Sequence, residues 1–456
     1  MPQLVYPTME RTMNRDVARR NSNMIWGEVD LVELAEILGT PLYVTDETIV
    51  RERFRQYRAA FPDAEILYAV KANSSLALLR ILAQEGAGAD VFSDGELFMA
   101  LAAGIPAHKI LFNGNSKSDW DLSMAKNTEV RVSVDSLDEL EVLSRMFPDR
   151  DKPLEIAFRV NPDVNPDTHH RIATGLKESE FGIPYERVLD AYGLALTLPG
   201  VKPVGIHCHI GSQITDISVY AETAEKMMGL VRGLLENFDL VLDFVDLGGG
   251  LGIDYTGEDK EPTPKDLADV ILPIYERACD EIGYRPRLAL EPGRSLVARS
   301  TLLLTRVNFV KEADQLFAGV DAGFNVLIRP TLYGAFHRIV VANKADQPPV
   351  RKYTVVGPMC ETDILASERP LPELARGDLL AFMDAGAYGF SMSSQYNGRP
   401  RPAEVLVCEG KWDVTRDRET YSDLLLRQRV PNRLLVGEPP ARFLPVSEGV
   451  RVPEAY

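Results

Sequence analysis

Between Ile66 and Leu290 the sequence alternates eight short runs rich in apolar and β-branched residues with longer runs whose apolar residues recur near helical spacing. No other feature limits the fold as strongly. A strand buried on both faces and followed by an amphipathic helix belongs to a parallel sheet covered by helices. The predicted strands are Ile66–Val70, Ala89–Phe92, Ile110–Phe112, Val130–Val134, Leu154–Val160, Val204–Ile210, Phe244–Leu247 and Arg287–Leu290, after an initial run Pro41–Thr45. The predicted helices are Leu76–Gln84, Gly95–Ala103, Leu137–Met146, Pro184–Leu196, Val219–Asn237 and Pro264–Ile282. Eight strand–helix units over about 250 residues predict a closed (β/α)8, TIM-like barrel. An open doubly wound sheet is the alternative.

From about Val297 the texture changes to β-rich segments separated by Gly, Pro and Asp turns: Thr301–Val310, Arg338–Val341, Tyr353–Val356, Asp378–Met383 and Ala403–Cys408. This predicts a C-terminal all-β domain, a β-sandwich or β-barrel. The expected organisation is an N-terminal segment 1–40 packing on the β domain, an α/β barrel over 41–296 and the β domain over 297–456. The 456 residues suffice for two such domains. The net charge of −17 argues against nucleic acid and anionic membrane surfaces, which need a basic face. No run reaches the length of a membrane span, and the first twenty residues lack the apolar centre of a signal peptide. Cys208, Cys279, Cys360 and Cys408 lie far apart and form no CxxC pair, against a disulfide framework or zinc site. A cytoplasmic protein is expected.

Barrel chemistry sits at the C-terminal strand ends. There the sequence places Lys71, Asp90 with Ser93, Asn113, Arg159 with Asn161, His207 with His209 and Ser212, Gly248–Gly250, and Glu291 with Arg294. A carboxylate-poor set with a central lysine suits a metal badly. A lysine in a low-dielectric pocket can form a Schiff base. Consecutive glycines let a phosphate approach the backbone, and an arginine completes that site. A glutamate can keep a ring nitrogen protonated, and a histidine can stack on the ring. Together these parts describe a pyridoxal 5′-phosphate site. Each has a plainer reading. A strand-end lysine is ordinarily solvated, three glycines can be a tight turn, and His207 and His209 share a strand face as core residues would. Glu291 and Arg294 could be a structural ion pair, Cys360 a buried inert thiol, and Arg329 and Tyr333 a helical i,i+4 pair. The cofactor reading rests on their convergence in one barrel.

The motifs Tyr68–Asn73 (YAVKAN), Gly205–Gln213 (GIHCHIGSQ), Val245–Gly252 and Glu291–Arg294, with Asp321–His337, Gly357–Glu361 and Asp384–Asn397, resemble those of the fold-type III pyridoxal-phosphate decarboxylases, and among them the diaminopimelate decarboxylases. The resemblance implies that Lys71 carries the cofactor, His209 stacks on its ring and Glu291 pairs with its nitrogen. It assigns the phosphate to Ser212, Gly248, Gly249, Gly250 and Arg294, with Gly293 in the same loop and Tyr388 nearby. Arg294, Arg329, Tyr333 and Tyr388 would meet the substrate, Glu361 its distal amine, and Cys360 would donate a proton after carbon dioxide leaves. The implied reaction converts meso-2,6-diaminopimelate to L-lysine, the last step of lysine biosynthesis, in a homodimer with shared active sites. Alanine racemases resemble this barrel but set an arginine against the ring nitrogen, so an acid there argues for decarboxylation.

Two positions depart from the family pattern: Glu180 stands where relatives usually carry lysine, and the loop Cys360–Asp363 is one residue short. Related decarboxylases act on D-lysine, D-ornithine or carrier-bound glutamyl groups, and some homologues are noncatalytic regulators. Intact Lys71, Glu291 and Cys360 disfavour the regulator.

Overall fold

The structure is a computed structural model, and it describes residues 18–165, 179–257 and 261–434. The chain divides into two compact units. One comprises Glu47–Ser300 with Gly386–Ser391. The other comprises the residues through Asp46, Thr301–Ala385 and the chain from Met392.

In the first unit eight parallel strands form a closed barrel: β1 (Glu65–Ala69), β2 (Gly88–Val91), β3 (Ile110–Phe112), β4 (Arg131–Val134), β5 (Leu154–Asn161), β6 (Val201–Cys208), β7 (Phe244–Asp246) and β8 (Arg287–Leu290). The pairings β8–β1, through Ala289↔Glu65, and β4–β5, through Val132↔Ile156, complete the ring and exclude the open sheet. Inside it, Leu67, Leu111, Ala157, Val204, Phe244 and Ala289 form one cluster. Large and small residues interlock: a Cβ on Gly205 would stand 2.2 Å from the Phe244 ring, so glycine there makes room for the phenyl group.

The helices Leu76–Gln84, Leu137–Met146 and Pro264–Ile282 have the predicted bounds. Among the described barrel-unit helices of nine residues or more, two carry no sequence prediction. Glu47–Ala60 is rich in charged residues and buries only Val50, Phe54, Tyr57 and Ala60. Asp119–Thr128 is a polar helix started by a reciprocal Ser118–Asp121 capping box. Both fall below what apolar periodicity detects, because a narrow buried stripe suffices once a barrel is there to receive it.

The second unit holds a nine-stranded sheet. Its long strand Thr301–Glu312 pairs antiparallel with Leu42–Asp46 and Leu379–Phe382 along its first half and with Leu316–Val320 along its second. Strands Leu316–Val320, Ile364–Leu371 and Lys411–Arg416 add to those expected. The helix Leu31–Leu38, capped by the Asp30 carboxylate on the Val32 and Glu33 amides, buries Leu31, Leu34 and Ala35 against Leu42, Val44, Leu302, Leu304 and Val405.

Unit boundaries differ from the expected 40/41 and 296/297. The run around Leu42–Asp46 belongs to the β unit's sheet, where Leu42 and Val44 enter its core, and Gly386–Ser391 returns to the barrel unit. A strand's own alternation states that it is half or fully buried, never in which sheet.

Candidate active site

The barrel's strand ends bring together a buried charge network. Lys71 lies in the 3-10 turn Val70–Ala72 directly after β1, and its ammonium pairs with the Asp90 carboxylate of β2. Asn113, just past β3, spends both amide hydrogens on carboxylates, one to Asp90 Oδ1 at 2.6 Å and one to Glu291 Oε1 at 2.5 Å. On the other side of Glu291, His207 Nε2 lies 3.4 Å from Oε2, while His207 Nδ1 is 2.9 Å from Ser133 Oγ. Asp90 and Glu291 are 1% and 3% exposed. Two buried carboxylates this close cost several kcal/mol each unless countercharges and donors surround them.

The protonation states follow from that setting. Burial would raise the Glu291 carboxyl, but His207, then Lys71 and His209, outweigh it and bring Glu291 down to about 2, so it is ionised at neutral pH. Burial and the neighbouring Glu291 push Asp90 up, against the pull of Lys71. Desolvation would lower the Lys71 ammonium, yet Asp90, Glu291 and Tyr388 hold its pKa above the ordinary lysine value. Burial, reinforced by Lys71, drops His209 to about 3, leaving a neutral ring. Its Nδ1 accepts the Gly249 amide at 3.2 Å, which assigns the ring proton to Nε2.

A cavity of about 410 Å³ opens onto Lys71, His207, His209 and Glu291, with Phe92, Phe181 and Arg159 among its walls. Lys71 is 32% exposed and therefore reachable from the cavity. The Arg159 guanidinium stacks 4.3 Å from the Phe181 ring centroid, and Phe181 meets Phe92 edge-on. Glu180 itself is exposed and is not among the residues that line the cavity.

Beyond β7 the chain runs bare. Gly248 and Gly250 have φ of +71° and +105°. Added Cβ atoms at Gly248, Gly249 and Gly250 would stand 2.3, 2.0 and 2.4 Å from the carbonyl oxygens of Cys208, Glu291 and Gly211. Nearby, Arg294 donates from Nη2 to Ser212 Oγ and from Nη1 to Tyr255 Oη, both at 2.9 Å. Arg294 follows Gly293 at the start of the short helix Arg294–Val297. Its guanidinium also lies 5.0 Å from the Tyr388 ring centroid, and the Tyr388 amide is fixed by the Ala72 carbonyl at 2.7 Å. A side-chain-free backbone cradle beside an arginine and a serine hydroxyl has the chemistry of a phosphate site. An ionised buried acid and a neutral imidazole suit a cationic ring nitrogen and a ring face. These residues fit pyridoxal 5′-phosphate.

The remaining expected residues lie in the β unit. Arg329 is buried at the start of the helix Arg329–Tyr333, and its Nη1 donates to His337 Nε2 at 2.8 Å, while His337 Nδ1 donates to the Met383 carbonyl. Tyr333, one turn on, is half-buried. Cys360 and Glu361 stand exposed on the loop between Gly357 and Asp363, together with Tyr396 and Asn397. The short loop is closed by Asp363: its Oδ1 accepts the Phe324 amide at 2.9 Å, and its carbonyl accepts the Gly357 amide at 2.9 Å.

Asp90, Asn113, Arg159 and His207 stood in the strand-end inventory without an assigned part, and Tyr396 and Asn397 lay unremarked at the end of a motif. Residue type at a strand end brought the first four into the inventory, but the partner of each is set by distances across the barrel that no spacing along the chain encodes.

Residues 47–298 match the family model described as "Pyridoxal-dependent decarboxylase, pyridoxal binding domain". The chain is 55% identical over 408 residues to a diaminopimelate decarboxylase of Archaeoglobus fulgidus, covering 89% of this chain and 97% of that one. It is 46% identical to a diaminopimelate decarboxylase of Methanothermobacter thermautotrophicus over 91% of this chain and 97% of the relative. The crystal structure of the M. jannaschii diaminopimelate decarboxylase in co-complex with L-lysine matches with a TM-score of 0.86 and 39% identity, covering 93% of this chain and all of that one. Barrel, cradle and matches all define a pyridoxal-phosphate-dependent carboxy-lyase. Within that class the chain belongs to the diaminopimelate decarboxylase family.

Proposed function

We propose that this protein decarboxylates meso-2,6-diaminopimelate to L-lysine and carbon dioxide, closing lysine biosynthesis. The observation that carries the proposal is the cavity in which Lys71, paired with Asp90, faces an ionised, buried Glu291 beside the bare Gly248–Gly250 cradle. When bound, pyridoxal 5′-phosphate supplies the electron sink for cleavage of the substrate's Cα–carboxylate bond.

Gly248, Gly249, Gly250, Ser212 and Arg294 would hold its phosphate, with Gly293 keeping that turn open and Tyr388 packed on the Arg294 guanidinium. Lys71 would hold its carbonyl end, with Asp90 fixing Nζ. Glu291 would accept a hydrogen bond from the ring nitrogen and keep that nitrogen protonated. Its depressed pKa is what makes it an acceptor there. Neutral His209 would offer its face to the ring without adding a competing charge. Arg329 and Tyr333 bind the distal carboxylate and Glu361 the distal ammonium, which selects a substrate carrying both groups at its far end. Cys360 Sγ–H gives its proton to Cα in place of the departed carboxylate, and the thiolate is reprotonated by water.

The exposure of Cys360 and Glu361 on one chain supports a homodimer in which they serve the site of a second copy. Four free cysteines and an acidic surface support a cytoplasmic location.

The test is product formation by the pyridoxal-phosphate-loaded protein from meso-diaminopimelate, D-lysine and D-ornithine in parallel. L-Lysine and carbon dioxide from diaminopimelate alone are expected. Activity only on the shorter substrates would keep the chemistry and remove Arg329 and Glu361 from their roles. A protein that stays colourless with added cofactor would overturn the enzyme reading.

A further inference from the structure

Beside Cys360 and Glu361 stand two neutral residues, Tyr396 and Asn397, whose hydrogen bonds converge on them. The Cys360 amide donates to Asn397 Oδ1 at 3.0 Å, and Asn397 Nδ2 donates back to Cys360 Sγ at 3.2 Å. One amide thus grips the cysteine by backbone and sulfur at once. Asn397 does so from the left-handed region, φ +56°, which asparagine tolerates better than other side-chain-bearing residues. The Tyr396 hydroxyl donates to Glu361 Oε1, and its oxygen lies 3.5 Å from Cys360 Sγ.

The tyrosine is itself held. Its ring stacks on Phe324 with centroids 5.5 Å apart and planes 26° from parallel. The Phe324 amide is anchored on Asp363, whose carboxylate also accepts the Met359 amide at 3.3 Å. Gly323 and Gly357 leave space for that carboxylate: Cβ atoms there would stand 2.4 and 2.1 Å from Asp363 Oδ2. The segments 321–324, 357–363 and 396–397, distant in sequence, are therefore joined through one carboxylate and one stacked pair of rings.

We propose that Tyr396 and Asn397 are positioning residues for the Cys360–Glu361 pair: Asn397 aims the sulfur, and the single Tyr396 hydroxyl proton is shared between sulfur and carboxylate, coupling proton donation to recognition of the substrate's distal ammonium. A phenol has one proton and two acceptor directions. Without an ammonium the proton is divided between Glu361 Oε1 and Cys360 Sγ, so the sulfur receives only part of it. When an ammonium takes over Glu361, the hydroxyl turns its proton to sulfur and stabilises the thiolate that remains after Sγ–H has given up its proton. The hydrogen bonds from Tyr396 and then Asn397 draw the thiol below the usual cysteine range, against the opposing charge of Glu361. The inference rests on the proposed roles of Cys360 as proton donor and Glu361 as amine site.

The experiment measures iodoacetamide alkylation of Cys360 against pH in the holoenzyme, with modified peptides located by mass spectrometry. Wild type, Tyr396→Phe and Asn397→Gly are compared, together with their kcat and KM pH profiles on meso-diaminopimelate. Glycine keeps the left-handed backbone, so this second variant removes the amide without adding strain. Both variants are expected to move the alkylation midpoint to higher pH and to slow alkylation at neutral pH by roughly threefold to tenfold, the loss of one hydrogen bond to a charged acceptor at an exposed site. Tyr396→Phe should also raise KM, since it alone releases Glu361, while Asn397→Gly should act mainly on kcat. Alkylation profiles that coincide with wild type would overturn the positioning role. Full activity of Cys360→Ser would overturn the proton-donor reading, and the coupling with it. Unshifted profiles alongside an inactive Cys360→Ser would sink the positioning alone.

Discussion

The two units solve the problem of placing reactive groups in opposite ways. In the barrel, Lys71, Asp90, Asn113, Glu291 and His207 are presented by the ends of different strands, and Asn113 and the two carboxylates are almost wholly buried. Each group there is held by another, so removing one leaves a buried charge or amide without its counterpart. In the β unit, Cys360 and Glu361 sit on an exposed loop and are held by neutral hydrogen bonds from Tyr396 and Asn397. Solvent can replace those bonds at little cost to the fold. The barrel site is thus part of what keeps its unit folded, whereas the loop cluster is separable from its unit's stability.

That contrast is open to attack from both ends. The largest effect is expected from Lys71→Ala: loss of the cofactor's colour and a fall in kcat of about 10⁴-fold or more, with a changed melting temperature because Asp90 loses its cation. Unchanged stability would mean that the barrel network does not act as a unit. Glu291→Ala should lower kcat by roughly 10²–10³-fold while the protein still takes up cofactor. Near-normal turnover would remove Glu291 from the ring nitrogen.

Cys360→Ser should reduce kcat by about 10²-fold with cofactor spectrum and thermal unfolding indistinguishable from wild type. A destabilised variant would erase the distinction between the two regions.

The smallest effect concerns acid stability. His209 titrates near 3 in the folded barrel against an ordinary 6.5, so between those values the unfolded chain binds a proton that the folded chain refuses. Stability contributed by this residue is complete above pH 6.5 and declines as pH falls toward 3. From pH 6.5 to 5, above the carboxylate range, urea midpoints of the cofactor-free protein should drop more steeply for wild type than for His209→Phe. Parallel slopes would show that His209 is not held neutral by the fold.

Much of this was legible in the residues. The strands Ile110–Phe112 and Arg287–Leu290 and three of the helices could be bounded from pattern alone, because period and punctuation agree there. The helix Glu47–Ala60 was not legible, since its charged sequence gains its apolar stripe only against the barrel. Lys71, the glycine run and Glu291 announce themselves by residue type at strand ends. Asp90 and Asn113 do not: their part depends on the distance from one carboxylate to another across the barrel, and no spacing along the chain encodes it.

By itself the sequence determined the parallel barrel, the β-rich second region and the set of reactive groups, because hydrophobic period and residue chemistry are local properties. Only the tertiary structure decided that Leu42–Asp46 strengthens the β unit's sheet, that Asn113 joins two carboxylates of opposite pKa displacement, and that one tyrosine hydroxyl serves both Cys360 and Glu361. Those three facts depend on pairings over long sequence separation, and their energies come from burial and distance, which exist only once the chain has closed on itself.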